Sequence, residues 1–284
     1  MTSLPFDPAD YAEARSTLGS LGAQPNKSLG QNFLLDKDAL DAICDAAGLQ
    51  PTDSVLEIGP GLGALTVRLL ARAQHVTAIE KDTKFASFLT KKLKREGFKL
   101  VGADALEVTW DTLGLPQENV KIVANLPYSI SKPVLRRIIE EWREHLTSAT
   151  VLVQREVAFR LTAAPNTEHY GPMSIMAQLY TRANMVFDIA PEAFLPAPKV
   201  VSTVVHFEML PAPSIELASE TRFWTTVRAA FGQRRKNLGN TLKPLAPREK
   251  LAQIFEQTSI DPKRRGETLS IQEFELLARA IWSD

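Results

Sequence analysis

Asn125-Leu126-Pro127-Tyr128 sets an amide side chain, a backbone carbonyl and an aromatic ring within four residues. Two oxygen acceptors aimed at the two hydrogens of a ring-conjugated amine draw its lone pair out of the ring, so that the nitrogen can attack an electrophilic methyl group. The Asn125 side-chain oxygen and the Leu126 carbonyl can serve, with Pro127 restricting the backbone before it. Tyr128 offers a face on which a base can stack. An amine sheds its proton readily once alkylated, so such a site works by positioning and needs no strong base. Standing alone, the tetrapeptide would be an ordinary turn. Its surroundings decide.

Those surroundings begin with Glu57-Ile58-Gly59-Pro60-Gly61-Leu62-Gly63-Ala64-Leu65-Thr66, an apolar run that breaks into glycines and resumes as a helical pattern. Glycines at a strand-to-helix turn let a ligand lie against bare backbone at the carboxyl edge of a sheet. Glu80 stands 21 residues beyond Gly59, at the end of the next apolar run, where a carboxylate can accept from both hydroxyls of a ribose. Asp104 follows the third run and can accept from an adenine amino group. Gly59, Gly61, Glu80 and Asp104 are thus candidate nucleoside ligands at the ends of successive strands. NAD-binding folds share this geometry, and Asp104 read singly is more often a helix N-cap.

The elements that must hold these residues are visible in the pattern. Val55–Ile58, Val76–Ile79, Lys99–Val101, Lys121–Ala124 and Thr150–Val153 are short β-branched runs, suited to strands of a buried parallel sheet. Helical patterns at about 36–48, 63–73, 83–95 and 132–144 fall between them as crossovers. The fold class expected is α/β, a Rossmann-like doubly wound sheet. Met185–Ile189 and Ser202–Phe207, after a helical patch at 172–182, are expected to add antiparallel strands at one edge. Pro211-Ala212-Pro213-Ser214 reads as a linker, and from Ser219 to Trp282 the pattern is helical. The expected domains are an N-terminal extension over 1–24, a first domain over 25–210 and a small all-helical domain over 215–284.

The 284 residues are 44% hydrophobic and 23% charged, as in an ordinary soluble protein, and no apolar run approaches the roughly 20 residues of a membrane span. The N-terminal segment carries acids and lacks a basic or apolar leader region, so a cytoplasmic protein is expected. Cys44, the single cysteine, sits in an apolar helical pattern and reads as a core residue, which leaves disulfide and zinc chemistry out. No His/Cys cluster suggests a metal site. The 33 basic residues balance 33 acidic ones, yet Arg222 to Lys250 holds eight basic residues against Glu249 alone, a local charge of about +7. Arg228, Arg234, Arg235, Lys236 and Lys243 are the candidate RNA contacts there. Arg228 with Arg235, and Lys236 with Lys243, are spaced to share a helix face.

The chain resembles the small-subunit ribosomal RNA adenine dimethyltransferase family (KsgA/RsmA). The resemblance rests on Gly30-Gln31-Asn32-Phe33-Leu34, Glu57 to Gly63, Asn125 to Tyr128, Gln154 to Ala158, Tyr170-Gly171, Phe194 to Val200 and Phe231 to Lys236, and it covers about 25–280. It implies a class I methyltransferase with S-adenosylmethionine as methyl donor and no metal. It also implies that Asn32, Leu34, Gly59, Glu80, Asp104 and Asn125 contact the cofactor, and that Phe194 holds the target base opposite Tyr128. The implied reaction is dimethylation of two adjacent adenosines in the 3′-terminal hairpin of 16S rRNA, within the small subunit or its precursor, by a cytoplasmic monomer during ribosome biogenesis. Val201 stands where the family usually has an acid, and Gly239 where it usually has a basic residue. Alternatives are a large-subunit adenine methyltransferase of the macrolide-resistance type, an NAD-dependent dehydrogenase, and a non-catalytic assembly factor.

Overall fold

The computed structural model describes residues 7–23, 31–233 and 235–283. Nine strands are present among them: β1 (Phe33–Leu34), β2 (Ser54–Ile58), β3 (His75–Glu80), β4 (Phe98–Gly102), β5 (Val120–Asn125), β6 (Leu146–Gln154), β7 (Thr181–Ile189), β8 (Phe194–Leu195) and β9 (Ser202–Met209). Seven of them form one sheet in the order β4-β3-β2-β5-β6-β9-β7, and β1 pairs with β8 apart from it. β4, β3, β2, β5 and β6 are mutually parallel, with Val55 opposite Val76 and Asn125 opposite Leu152. β9 runs antiparallel to β6, with Leu152 opposite Val204. The β-branched runs form these strands because helices cover both faces of a parallel sheet, so hardly a side chain in its central strands can be polar. Val55, Leu56, Val76, Ile122, Val123 and Val151 are all fully buried.

The chain folds as two compact units, one made of Met1–Ala158 with Ala183–Met209 and the other of Phe159–Arg182 with Leu210–Asp284. The first unit carries the sheet and helices α1 (Tyr11–Ser20), α2 (Lys37–Ala46), α3 (Ala64–Arg72), α4 (Thr83–Lys92), α5 (Trp110–Leu113) and α6 (Ser131–Arg136). Asp10, Asp36 and Asp82 cap α1, α2 and α4 by accepting a main-chain N–H of the first turn. Within the expected N-terminal extension, α1 packs Ala14 and Leu18 against Phe33, Leu62 and Phe85. Cys44 is buried, and burial pushes its thiol up to about 12, which removes its reactivity. The helix expected over 132–144 is not continuous. After α6 comes a π turn, Arg137–Glu141, and then a 3-10 turn, Arg143–His145. The wide turn buries the consecutive Ile138 and Ile139 while the Arg137 guanidinium donates to the Ala105 and Val108 carbonyls.

The chain passes through α7 (Arg155–Thr162) into the second unit, which holds α8 (Pro172–Tyr180), α9 (Glu220–Phe231), α10 (Leu238–Thr241), α11 (Arg248–Thr258) and α12 (Ile271–Trp282). The sequence expectation keeps 159–182 inside a domain over 25–210, whereas the compact units place these residues with the C-terminal helices. The reason is that α8 is apolar nearly all round. Its Ile175, Met176, Ala177, Leu179 and Tyr180 are buried, and the Tyr180 hydroxyl donates to Glu220 at the start of α9 and accepts from the Trp224 indole. Phe223, Val227, Phe274 and Leu277 complete the core between α9 and α12, and Ser270 with Glu273 forms a capping box on α12. Gly239 fits a tight approach: its N–H donates to the Pro262 carbonyl, and a Cβ there would lie 3.3 Å from the Pro262 Cβ.

Candidate active site

Parallel topology brings the carboxyl ends of β2, β3, β4 and β5 to one edge of the sheet, and the candidate ligands sit at those ends. Together with residues at and just before β1 they line a solvent-open cavity with about 980 Å³ of empty space, its mouth included. Asn32, Leu34, Gly59, Gly61, Glu80, Asp104, Asn125, Leu126, Pro127 and Tyr128 all contribute to its wall. Glycine is needed twice. At Gly59 φ is +71° and a Cβ would come within 3.3 Å of Pro127 Cγ, so the ligand loop touches the acceptor motif directly. At Gly61 φ is +55° and a Cβ would strike the Phe33 ring at 2.8 Å.

Glu80 is buried. One of its oxygens accepts from the Gly61 N–H at 3.0 Å and the other from the Asp82 N–H at 2.8 Å. Burial raises its pKa against the pull of these donors, and each oxygen keeps a further lone pair for a ligand hydroxyl. Asp104 accepts from Lys81 Nζ at 2.6 Å and from the Leu106 N–H at 2.9 Å. Lys81 holds its carboxyl below the usual range, so it is an ionised acceptor as well as a turn cap.

Glu57, on the cavity wall at β2, is buried to 1% exposure, and its Oε2 has no hydrogen-bond partner among the described residues. Burial, helped by the nearby Glu80 charge, pushes its pKa up to about 8. The folded protein therefore binds a proton that the unfolded chain, with its ordinary value near 4.5, has already lost. Stability is full below the unfolded value and declines as pH rises toward about 8. Glu57→Gln is expected to flatten that decline in urea unfolding at pH 5.5 and 8; a slope equal to the parent's would contradict the burial of an acid here.

Asn125 ends β5. Its Nδ2 donates to the Asn32 carbonyl at 3.1 Å, which fixes the amide and leaves Oδ1 as the outward acceptor. The Leu126 N–H continues the sheet by donating to the Leu152 carbonyl at 3.2 Å, and no described hydrogen bond ends on the Leu126 carbonyl. Tyr128 is half-buried, and its hydroxyl is hydrogen-bonded to Ser202 Oγ at the start of β9. Burial raises the phenol's pKa, so the ring stays neutral for stacking. Neither the Asn32 carbonyl's grip on Asn125 nor the role of Ser202 is foreseen from the sequence. Ser202 carries no local signal, because it and Thr203 are two hydroxyls in a row at the start of β9 and nothing in the sequence singles out the first.

The structure does not bring every candidate together. Phe194 lies outside the cavity wall; on β8, opposite Leu34, it is buried in the apolar cluster with Leu40 and Ile189. Where the family usually has an acid, Val201 acts through its main chain, its carbonyl accepting from the Arg155 N–H. Arg228, Arg235, Lys236 and Lys243 are exposed in the second unit, while Arg234 and Gly30 lie outside the described residues. The shared helix faces are corrected. α9 ends at Phe231, a turn with Lys236 N–H donating to the Gln233 carbonyl follows, and α10 covers only Leu238–Thr241. The helix has its C-cap at Gly232, so Arg235 lies beyond it. Among the described residues no group of three or more His, Cys, Asp or Glu could hold a metal ion, and no helix is long and apolar enough to cross a membrane.

A family model described as ribosomal RNA adenine dimethylase matches residues 22–281. Ribosomal RNA small subunit methyltransferase A of Clostridium botulinum is 41% identical over 259 residues, 90% of this chain and 94% of that protein. The protein of the same name from Pelotomaculum thermopropionicum is 43% identical over 283 residues, 95% of this chain and 96% of its own length. Among solved structures, a dimethyladenosine transferase from Plasmodium falciparum superposes with a TM-score of 0.72 at 25% identity, covering 86% of this chain and 95% of that one. The 23S rRNA methyltransferase ErmE gives 0.66 at 26% identity, covering 88% and 99%.

Proposed function

The chain belongs to the ribosomal RNA adenine dimethylase family, and from that membership we propose that it dimethylates adenosine N6 in small-subunit ribosomal RNA. One observation carries the reading: Asn125, its amide nitrogen held by the Asn32 carbonyl, stands beside the Leu126 carbonyl on the wall of a cavity built from Gly59, Gly61, Glu80 and Asp104. The wall fits S-adenosylmethionine. Bare backbone at Gly59 and Gly61 lets a ligand approach closely, the buried Glu57 Oε2 on the same wall has no partner among the described residues, and the Glu80 and Asp104 carboxylates line the cavity where a nucleoside needs acceptors. When bound, the cofactor supplies an electrophilic methyl group on sulfur and departs as a neutral thioether.

The chain's own residues do the rest. Glu80 accepts from the ribose hydroxyls, Asp104 from the cofactor's adenine amine, and Asn32 and Leu34 close the near side. Asn125 Oδ1 and the Leu126 carbonyl accept the two hydrogens of the target amine, pulling its nitrogen toward tetrahedral geometry. Pro127 restricts the backbone of Leu126 before it, and Tyr128, held by Ser202, stacks on the base. An amine activated by two neutral acceptors calls for no metal, and the alkylated nitrogen releases its proton to water. Our reading puts the work on 16S rRNA in the small subunit or its precursor, in the cytoplasm; the relatives' names, which specify small-subunit ribosomal RNA, support the substrate. The likeness to ErmE favours a 23S target as a second reading, but relatives above 40% identity are named for the small subunit. Methyl-labelled cofactor incubated with unmethylated small and large subunits decides: dimethyladenosine in 16S rRNA is expected, and label confined to 23S rRNA would overturn the proposal.

Phosphate contacts supply most affinity for RNA and little sequence information. Arg228, Arg235, Lys236 and Lys243, with Arg234, are proposed to supply them from the second unit. Changing Arg235 and Lys236 together to glutamine is expected to weaken binding to small subunits and to lower the log-log salt slope by roughly one unit for each phosphate no longer held. Cofactor affinity should not change. A parent-like salt slope would make this cluster a solvated surface.

A further inference from the structure

We propose that the exposed face of α4, in the first unit, is a second RNA-binding surface that engages the phosphate backbone beside the cavity; this rests on ribosomal RNA being the substrate. From Thr83 to Arg95 the chain carries Lys84, Lys91, Lys92, Lys94 and Arg95 and no acid, a local excess of positive charge in a protein whose 33 basic and 33 acidic residues balance overall. Lys84, Lys91, Lys94 and Arg95 are exposed, and no ion pair is described for any of them. Lys84 is held in place by donating to the Gly22 carbonyl at 2.8 Å, which keeps its charge on the surface without neutralising it.

These cations flank a groove. Thr83, Lys84, Ser87, Phe88 and Lys91 line it on the α4 side, with Leu21 opposite, around about 740 Å³ of empty space. Residues 84, 87, 88 and 91 recur at helical spacing, so two lysines, a hydroxyl and an aromatic edge share one side of α4. Lys84 and Lys91 stand about 10 Å apart along the axis. Cationic heads at that interval, with the Ser87 hydroxyl between them and Thr83 beside Lys84, suit phosphates and ribose hydroxyls along one backbone. The apolar side chains of α4 are withdrawn from the cationic rim, Phe85 and Leu89 being fully buried and Phe88 half-buried in the groove floor, which leaves little to enter a lipid surface.

Position supports the same partner. α4 starts two residues after Lys81, and Lys81 and Asp82 lie on the cavity wall. A strand whose base enters at Asn125 reaches the same sheet edge from which α4 departs, so its backbone has a row of cations to follow. An anionic partner without a base to deliver would have no need of that adjacency.

The test is a Lys84→Gln, Lys91→Gln, Arg95→Gln triple variant, compared with the parent for binding to unmethylated small subunits between about 50 and 200 mM salt. The expected result is affinity more than about tenfold weaker at the low-salt end and a log-log slope lower by about two units, at roughly 0.7–0.9 for each phosphate engaged. S-adenosylmethionine affinity and the rate at saturating subunits should match the parent, which also shows that the fold is intact. Parent-like RNA affinity and slope would overturn the proposal, as would loss of binding to phosphatidylserine vesicles with RNA binding unchanged. A parent that bound and methylated no ribosomal RNA would instead remove the premise, and the two failures are distinguishable.

Discussion

Asn125→Ala is expected to lower the rate of methyl transfer by roughly 10²- to 10³-fold, the scale seen when one of two preorganised polar groups is removed from a transition-state site. The amine must lose conjugation with its ring to attack, and both acceptors are needed to hold it there. The Leu126 carbonyl would remain, since the backbone is fixed by the Leu126 N–H bond to the Leu152 carbonyl. The Asn32 carbonyl would lose its donor, but it lies at a partly exposed position where water can replace the amide. Cofactor affinity should therefore fall far less than turnover, and single-turnover rates with pre-bound subunits read the difference. Tyr128→Ala is expected to act otherwise, raising KM for RNA through the absence of a stacking platform that contributes about 1–3 kcal/mol. An Asn125→Ala protein that methylates at the parent's rate would leave the acceptor mechanism without support.

Glu80→Ala should weaken S-adenosylmethionine binding by about 10²-fold or more. Hydrogen bonds to a charged acceptor contribute roughly 1.5–3 kcal/mol each, and two ribose hydroxyls lose theirs together. The substitution also strands the Gly61 and Asp82 N–H groups that the carboxylate satisfies. Some loss of stability therefore accompanies it, so Glu80→Gln provides the control: one oxygen remains to accept, and an intermediate affinity is expected. Calorimetry on all three proteins measures the series. If Glu80→Ala and the parent bind the cofactor equally, the ribose lies elsewhere and the cavity has been assigned the wrong way round.

Both predictions rest on residues that are readable without any knowledge of the fold. Gly59, Glu80, Asp104 and Asn125 each sit at the carboxyl end of an apolar run, and strand ends are local features of a sequence. Once those runs form a parallel sheet, right-handed crossovers bring their ends to one edge, so spacing along the chain becomes proximity in space. That two further runs join an edge is legible in the same way, whereas the pairing of β9 with β6, ahead of β7, is seen only in the structure.

Other features depend on which distant segments meet, and no local pattern encodes that. The Asn32 carbonyl meets Asn125 across 93 residues and Ser202 meets Tyr128 across 74, and only the packing of β1 and β9 against the sheet decides either. Phe194 carries the resemblance to the family, yet its pairing through β8 with β1 puts the ring in the core. The basic run after Phe231 reads as one helix by spacing, but α9 ends there, and the Leu238 N–H bond to the Arg264 carbonyl holds the chain on another course. In the same way 159–182 joins the C-terminal helices because α8 has apolar residues on nearly every side and must be enclosed by other helices. Sequence alone determined the α/β fold and which polar residues stand at the strand ends around the cavity, since both follow from short-range periodicity. The tertiary structure decided how the acceptor amide is oriented, what holds the stacking ring and where the surface cations stand, because those depend on segments far apart along the chain coming together.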